Sequence, residues 1–349
     1  MGGPLRSGYR SARVPRETPA VIWETAAGPG VRSTPVLTDQ TALVSSADRE
    51  LRAFSLHDGG EYWSRGVSRP PGYPLIVRDR IFVGTEGTGE GEVRAVRFRD
   101  GNTEWRREVG PIESPIAFVN DTVYGVTDRG LAFALRARDG HIVWRTALPA
   151  RGGVWGPVVD GDRLFFLSSD TLYVLHREGG ARVGQTPVPG RAVGLPARSG
   201  DTLVVATADG ALFAHNVHAT VPTPLWETAG FEPFAAAPVL AEGEAFAVTR
   251  RGALVAVRLR DGRHRILTEL NEPAGAGATV VEDGILVGTL GGRLYLLTLE
   301  GRLLWMKELE GSITHAPAAT DGAIVVPMYG PVGGFLGTRP LRGKVVMLR

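Results

Sequence analysis

Apolar residues fall along this chain in short runs, many of them alternating with polar positions, and turn signals interrupt the runs every ten residues or so. "PVLTDQTALVSSADRELRAFSLHDGGEYW" and "PVVDGDRLFFLSSDTLYVLHREGGARV" show the pattern well: an apolar run, a polar turn, a second run, an acidic or glycine turn, a third run, a "DG"-like turn and a fourth run. Runs this short, with a period near two, predict β-strands, and 47 glycines and 24 prolines spread along the chain supply the turns between them. Almost no helix is expected.

The pattern also repeats. Tryptophans stand at Trp23, Trp63, Trp105, Trp144, Trp226 and Trp305, with Val183 or Gly184 and Ile266 near the two missing places. A second series, Pro35, Pro74, Pro115, Pro157, Pro196, Pro238, Ala278 and Pro317, opens an apolar run each time. Both have a period of about 40, which with four strands per unit is the signature of a propeller blade. Eight landmarks predict an all-β, eight-bladed β-propeller of four-stranded antiparallel blades. The last unit supplies only three strands, and "AVIWETA", residues 20–26, is a tryptophan strand without a blade of its own. Pairing the two closes the ring and removes an open edge. The expected organisation is an N-terminal extension over residues 1–19 and one propeller domain over 20–349.

The segments "AFSLHDGGEYW", "AVRFRDGNTEW" and "ALRARDGHIVW" place alanine, glycine and tryptophan at the first, seventh and eleventh positions. A tryptophan on an outermost strand offers a broad flat surface, and a glycine in the turn of the next blade lets the ring lie on bare backbone. Gly59, Gly101 and Gly140 are therefore read with the tryptophans as joints between blades. Asp58, Asp100, Asp139 and Asp261 precede such glycines as turn formers; spread around an outer rim, they cannot converge on one substrate.

These segments resemble the tryptophan-docking motif of the PQQ-like, or quinoprotein-type, eight-bladed propeller family, and "GGPLRSGYRSARVP" resembles its lead-in to the first blade. The resemblance covers essentially the whole chain. It implies the fold and leaves the activity open, because the family holds both pyrroloquinoline quinone dehydrogenases and non-enzymatic outer-membrane assembly factors of the BamB type.

Composition narrows the choice. Thirty-nine basic and 37 acidic residues leave a net charge of +2 with no basic run, so no nucleic-acid partner is expected. Lysine occurs only at Lys307 and Lys344, and arginine carries nearly all the positive charge. The absence of cysteine excludes disulfides, thiolate metal sites and a cysteine nucleophile, and with them the vicinal disulfide of alcohol-oxidising quinoproteins. No apolar window reaches the length of a membrane span. A periplasmic or other extracytoplasmic location is expected on the assumption of a removed leader, with the cytoplasm as the other option.

In the family, cofactor contacts come from loops entering the innermost strands beside the central channel. The residues to inspect here are Arg32, Tyr73, Glu113, Trp155, Arg191 and His315, just ahead of the proline landmarks. Trp155 lies outside the docking series, where it either stacks on a planar ligand, plugs the channel or packs beneath a loop. Glu113 is one carboxylate where calcium needs six or more oxygens. His215 and His218 in "HNVH" have a metal-like spacing but need another ligand, and read as an irregular exposed loop. "GTEGTGEGE", residues 84–92, has neither the lysine nor the following helix of a phosphate loop and reads as an extended hairpin in blade 2. In the assembly factors, a loop of a middle blade contacts the barrel-inserting partner through leucines and an arginine. "VPGRAVGLP" resembles that loop, with Arg191 as the arginine and Val188, Pro189 and Gly190 where the leucines stand.

The expected function is a non-catalytic scaffold that binds other proteins, an outer-membrane assembly complex among them. It is expected to be a monomer on its own, without metal or cofactor. The alternative is a dehydrogenase-like enzyme or small-molecule binder at the channel mouth, with pyrroloquinoline quinone and calcium. A third option is a sensory domain cut from a longer protein.

Overall fold

The computed structural model describes residues 12–67, 69, 71–87, 89–149, 153–331 and 341–349; the opening eleven residues, which hold most of the lead-in resemblance, lie outside them. Eight antiparallel sheets follow one another around a ring, and there is no helix among the described residues. Blade 1 runs outward through Val36–Leu37, Thr41–Ser46, Glu50–Ser55 and Glu61–Gly66. Blades 2 to 7 repeat this order over 75–108, 117–147, 155–187, 197–228, 239–269 and 279–308. Blade 8 uses Ala318–Thr320, Ala323–Pro331 and Leu341–Leu348, and Val21–Ala26 from the start of the chain completes it. The closure expected from the sequence is the one observed.

Burial follows from this arrangement. A middle strand is sandwiched between two neighbouring blades, so both of its faces are covered; Thr41–Ser46 is buried at every residue. An outermost strand has one covered side, and in Glu61–Gly66 only Trp63 is buried. The core is therefore a circle of separate clusters, one per seam between blades.

At five seams a tryptophan lies on the next blade's turn glycine: Trp23 on Gly59, Trp63 on Gly101, Trp105 on Gly140, Trp144 on Gly180 and Trp226 on Gly262. Each indole Nε1–H also donates to a backbone carbonyl of that turn, from Leu56 at 3.3 Å to Leu259 at 2.7 Å. The glycine is required at Gly140, for example, where φ is +68° and a Cβ would stand 2.5 Å from the Trp105 ring.

Three seams differ. Between blades 4 and 5, Gly184 occupies the tryptophan position, since it pairs with Val174 as Trp144 pairs with Ala134. The facing turn of blade 5 is longer, and the Thr220 carbonyl takes up the room, 2.7 Å from where a Gly184 Cβ would be. Asp160 compensates by pairing with Arg163 of its own blade and Arg198 of the next, while Arg163 also donates to the Ala219 carbonyl at 2.8 Å. Between blades 6 and 7 the expectation of Ile266 is corrected. The bulge in the outer strand sits one step earlier along its partner, so Leu267 rests on Gly301 and Ile266 is 55% exposed. At the seam of blades 7 and 8 the turn is missing altogether, because the chain's two ends meet there. The lead-in segment replaces it: Trp305 Nε1 donates to Pro15 O at 2.8 Å, Val14 is buried in the seam, and Arg13 and Arg16 pair with Glu282 and Asp283.

Candidate functional site: the channel mouth

In blades 1, 3, 5, 6 and 7 the loop that enters the innermost strand is tied to the hairpin between the second and third strands of its own blade. The bonds Ala47 N to Gly30 O, Asp128 N to Pro111 O, Ala208 N to Arg191 O, Arg250 N to Pro233 O and Leu290 N to Pro273 O span 2.8 to 2.9 Å. These loops and hairpins thus form one end of the ring, the mouth face. The six residues singled out from the sequence lie on it, but the structure joins only some of them.

Arg32, ahead of blade 1, forms an ion pair with Glu86 in the blade 2 hairpin. Burial pushes the Glu86 carboxyl above its usual range, Arg32 pulls it back, and the negative charge of Glu113 adds to the rise. Burial also lowers His315, to about 4, assisted by the positive charge of Arg32, while a hydrogen bond to the Arg32 backbone opposes the fall. Its Nδ1 lies 3.2 Å from Thr314 Oγ1. His315, Arg32, Glu86 and Glu113 therefore form an electrostatic chain over blades 8, 1, 2 and 3. Arg32 Nε and the fully buried Ser33 Oγ have no partner among the described residues.

The remaining candidates stand apart. Tyr73 is partly buried at the entry to blade 2. Trp155 begins the first strand of blade 4, paired with Leu167 and packed against the core of the blade 4 and 5 seam. Arg191 is exposed, and no ion pair joins it to a described residue. Around blades 5 to 7 the corresponding positions are small, and Gly194 faces Ala237 while Gly277 faces Ala236.

The reading of "HNVH" as one exposed loop is corrected in part. His215 belongs to Leu212–Asn216 and is 2% exposed; burial lowers its pKa against a hydrogen bond to the Pro187 backbone in blade 4. His218 is exposed beside Asp201. The two do not converge. Glu86, inside "GTEGTGEGE", is the mouth residue that sequence reasoning missed; its signal was an acid in a hairpin longer than those of blades 1 and 3 to 7.

The donor set does not fit a quinone and calcium centre. Glu86 is held by Arg32, Glu113 is exposed, and no three histidine or carboxylate groups gather among the described residues.

With this geometry in view, comparison with known proteins is direct. The model of the family described as outer membrane protein assembly factor BamB matches residues 12–127, 89–183, 168–266 and 264–333. The chain belongs to this family. It is 24% identical over 259 residues to the outer membrane protein assembly factor BamB of Yersinia pestis, covering 68% of this chain and 63% of that one. It spans about half, 49%, of the BamB of Legionella pneumophila. The crystal structure of BamB from Moraxella catarrhalis superposes with a TM-score of 0.74 at 16% identity, over 95% of this chain and 98% of that one. A quinohemoprotein alcohol dehydrogenase from Pseudomonas putida reaches 0.73 at 12% identity, over 99% and 79%. BamB and dehydrogenase thus share the architecture, and the architecture alone does not choose between them.

Proposed function

We propose that this chain is a non-catalytic, protein-binding propeller serving outer-membrane protein assembly from the periplasmic side. Its membership of the BamB family supports this reading. The observation that carries it is the pairing of Arg32 with Glu86 across two blades: these two charges neutralise one another at the mouth instead of converging as a free acid and base on an open pocket. The rigid mouth loops, Arg191 among them, are then a surface for partners. Among the described residues no helix is long and apolar enough to cross a membrane.

The unpartnered Arg32 Nε and Ser33 Oγ favour a second reading, a small polar ligand at the mouth. The test is affinity isolation from an envelope extract, run beside titration with pyrroloquinoline quinone and calcium. Stoichiometric recovery of an outer-membrane assembly component supports the scaffold. Saturable quinone binding with substrate-dependent dye reduction overturns it.

A further inference from the structure

Most of the exposed large apolar side chains stand on outermost strands, but Leu290 and Tyr329, each 43% exposed, lie on the mouth face. Their backbones connect them. Leu290 N donates to Pro273 O, and the next residue of that loop, Ala274, donates its N–H to Arg250 O at 3.1 Å. Leu290 and Arg250 therefore grip adjacent residues of one loop from opposite sides. On the other flank, Ile313 N donates to Thr289 O, and Ser312–Ile313 pairs with Met328 and Tyr329 on the long hairpin of blade 8. A continuous row, Arg250, Leu290, Tyr329, crosses blades 6, 7 and 8.

The row is built to be held out. Gly275 makes a seat for Leu290, since a Cβ there would stand 2.4 Å from Leu290 Cδ2. Beneath it, Glu272 is engaged by Arg293 and by Thr289 Oγ1, the latter at 2.7 Å, so this carboxylate is occupied within the fold. Arg251 is 80% exposed at its side chain, and its partner Glu232 is 3.4 Å away and half exposed. Arg250 is exposed and makes no ion pair with a described residue. An exposed tyrosine and an exposed arginine are of the types that dominate protein interfaces, the leucine between them adds apolar surface, and a backbone already fixed by hydrogen bonds keeps the ordering cost low.

We infer that Arg250, Leu290 and Tyr329 form a docking surface for an extended segment of a partner protein that carries an apolar side chain beside a carboxylate. The apolar group lies against Leu290 and Tyr329, and the carboxylate pairs with Arg250, an exposed cation with no ion pair to a described residue. This rests on the scaffold reading and names the part of the mouth face that does the binding.

The probe is a displayed library of random 12-residue peptides selected on the purified full chain, with binding then measured for Arg250→Glu, Leu290→Ser and, as a control on blade 3, Arg129→Glu. Thermal unfolding of each variant checks that the ring is intact. The expected result is enrichment of peptides with an acid next to an apolar residue, and a tenfold or greater loss of their affinity in Arg250→Glu and Leu290→Ser but not in Arg129→Glu. Selected peptides without that pairing, or with affinity unchanged in both variants, overturn the inference. In a parallel arm, a photo-cross-linking residue replaces Leu290 or Arg191 in the full chain. Envelope proteins captured at 191 and not at 290 leave the scaffold reading standing and this surface wrong; no capture at either position counts against both.

Discussion

Trp305 donates its indole N–H to the carbonyl oxygen of Pro15, 290 residues away in the chain, at 2.8 Å. Every other docking tryptophan makes this bond to a turn within the next blade, and here the lead-in segment supplies the carbonyl because the last blade has no such turn. Residues 12–19 and the strand Val21–Ala26 therefore close two consecutive parts of the ring, the seam of blades 7 and 8 and the outer edge of blade 8. Deleting residues 1–26 is expected to abolish cooperative unfolding, read by circular dichroism during a thermal or urea ramp. A truncated chain that melts like the intact one would falsify the closure. Trp305→Phe keeps most of the ring surface and loses the donor, at an expected cost of about 1 kcal/mol.

The docking glycines differ from other turn glycines in what surrounds them. Gly140 and Gly161 both have positive φ, +68° and +57°, but a Cβ on Gly140 meets Trp105 at 2.5 Å whereas one on Gly161 meets open space. Gly161→Ala is expected to cost about 1 kcal/mol from backbone strain alone. Gly140→Ala adds a clash with a held indole and should cost at least about 1 kcal/mol more. Equal costs from urea denaturation of the two variants would show that the tryptophan is not seated on the glycine in solution.

At the seam of blades 4 and 5, where the tryptophan is missing, charge takes its place. Asp160 serves Arg163 and Arg198 at once, and all three side chains are less than one-fifth exposed. Asp160→Asn leaves two arginines without their counter-charge across the seam of blades 4 and 5, at an expected cost of about 2 kcal/mol. The cost should shrink in high salt, because screening weakens the wild-type pairs and leaves the variant nearly unaffected. Melting temperatures of both proteins at low and high salt check this.

His315 sets a direction for pH. Its pKa is lowered to about 4 in the fold from an ordinary value near 6.5, so the unfolded chain binds more protons between those limits. Its contribution is present in full above about pH 6.5 and is lost as pH falls towards 4, a change of about 3 kcal/mol. His215, also lowered by burial, acts in the same direction; Glu86, raised by burial, opposes them at the upper end of the carboxylate range. His315→Asn should flatten the loss of stability between pH 6.5 and 4 in urea titrations. An unchanged slope would mean that the imidazole titrates freely.

How much of this was legible beforehand depended on whether the signal repeats. A docking tryptophan and its glycine recur in register, so the period exposed the blade count, the strand count and the closure by residues 20–26. Single events were less visible. Ile266 stands at the motif's eleventh position, but a shifted bulge gives the seat to Leu267, and a bulge leaves little trace in an apolar pair. Glu86 looked like one acid in a glycine-rich hairpin until the ring brought it to Arg32, 54 residues away. His215 and His218 looked like a pair and were separated by the end of a strand.

The sequence by itself determined the fold, because each blade repeats a local pattern of strand, turn, glycine and tryptophan that needs only its neighbour to be satisfied. The tertiary structure decided which residues share the mouth. Closing the ring places loops from distant parts of the chain side by side, and whether their charges meet, as Arg32 and Glu86 do, or remain open, as Arg250 does beside Leu290 and Tyr329, depends on hairpin lengths and single side chains that follow no period.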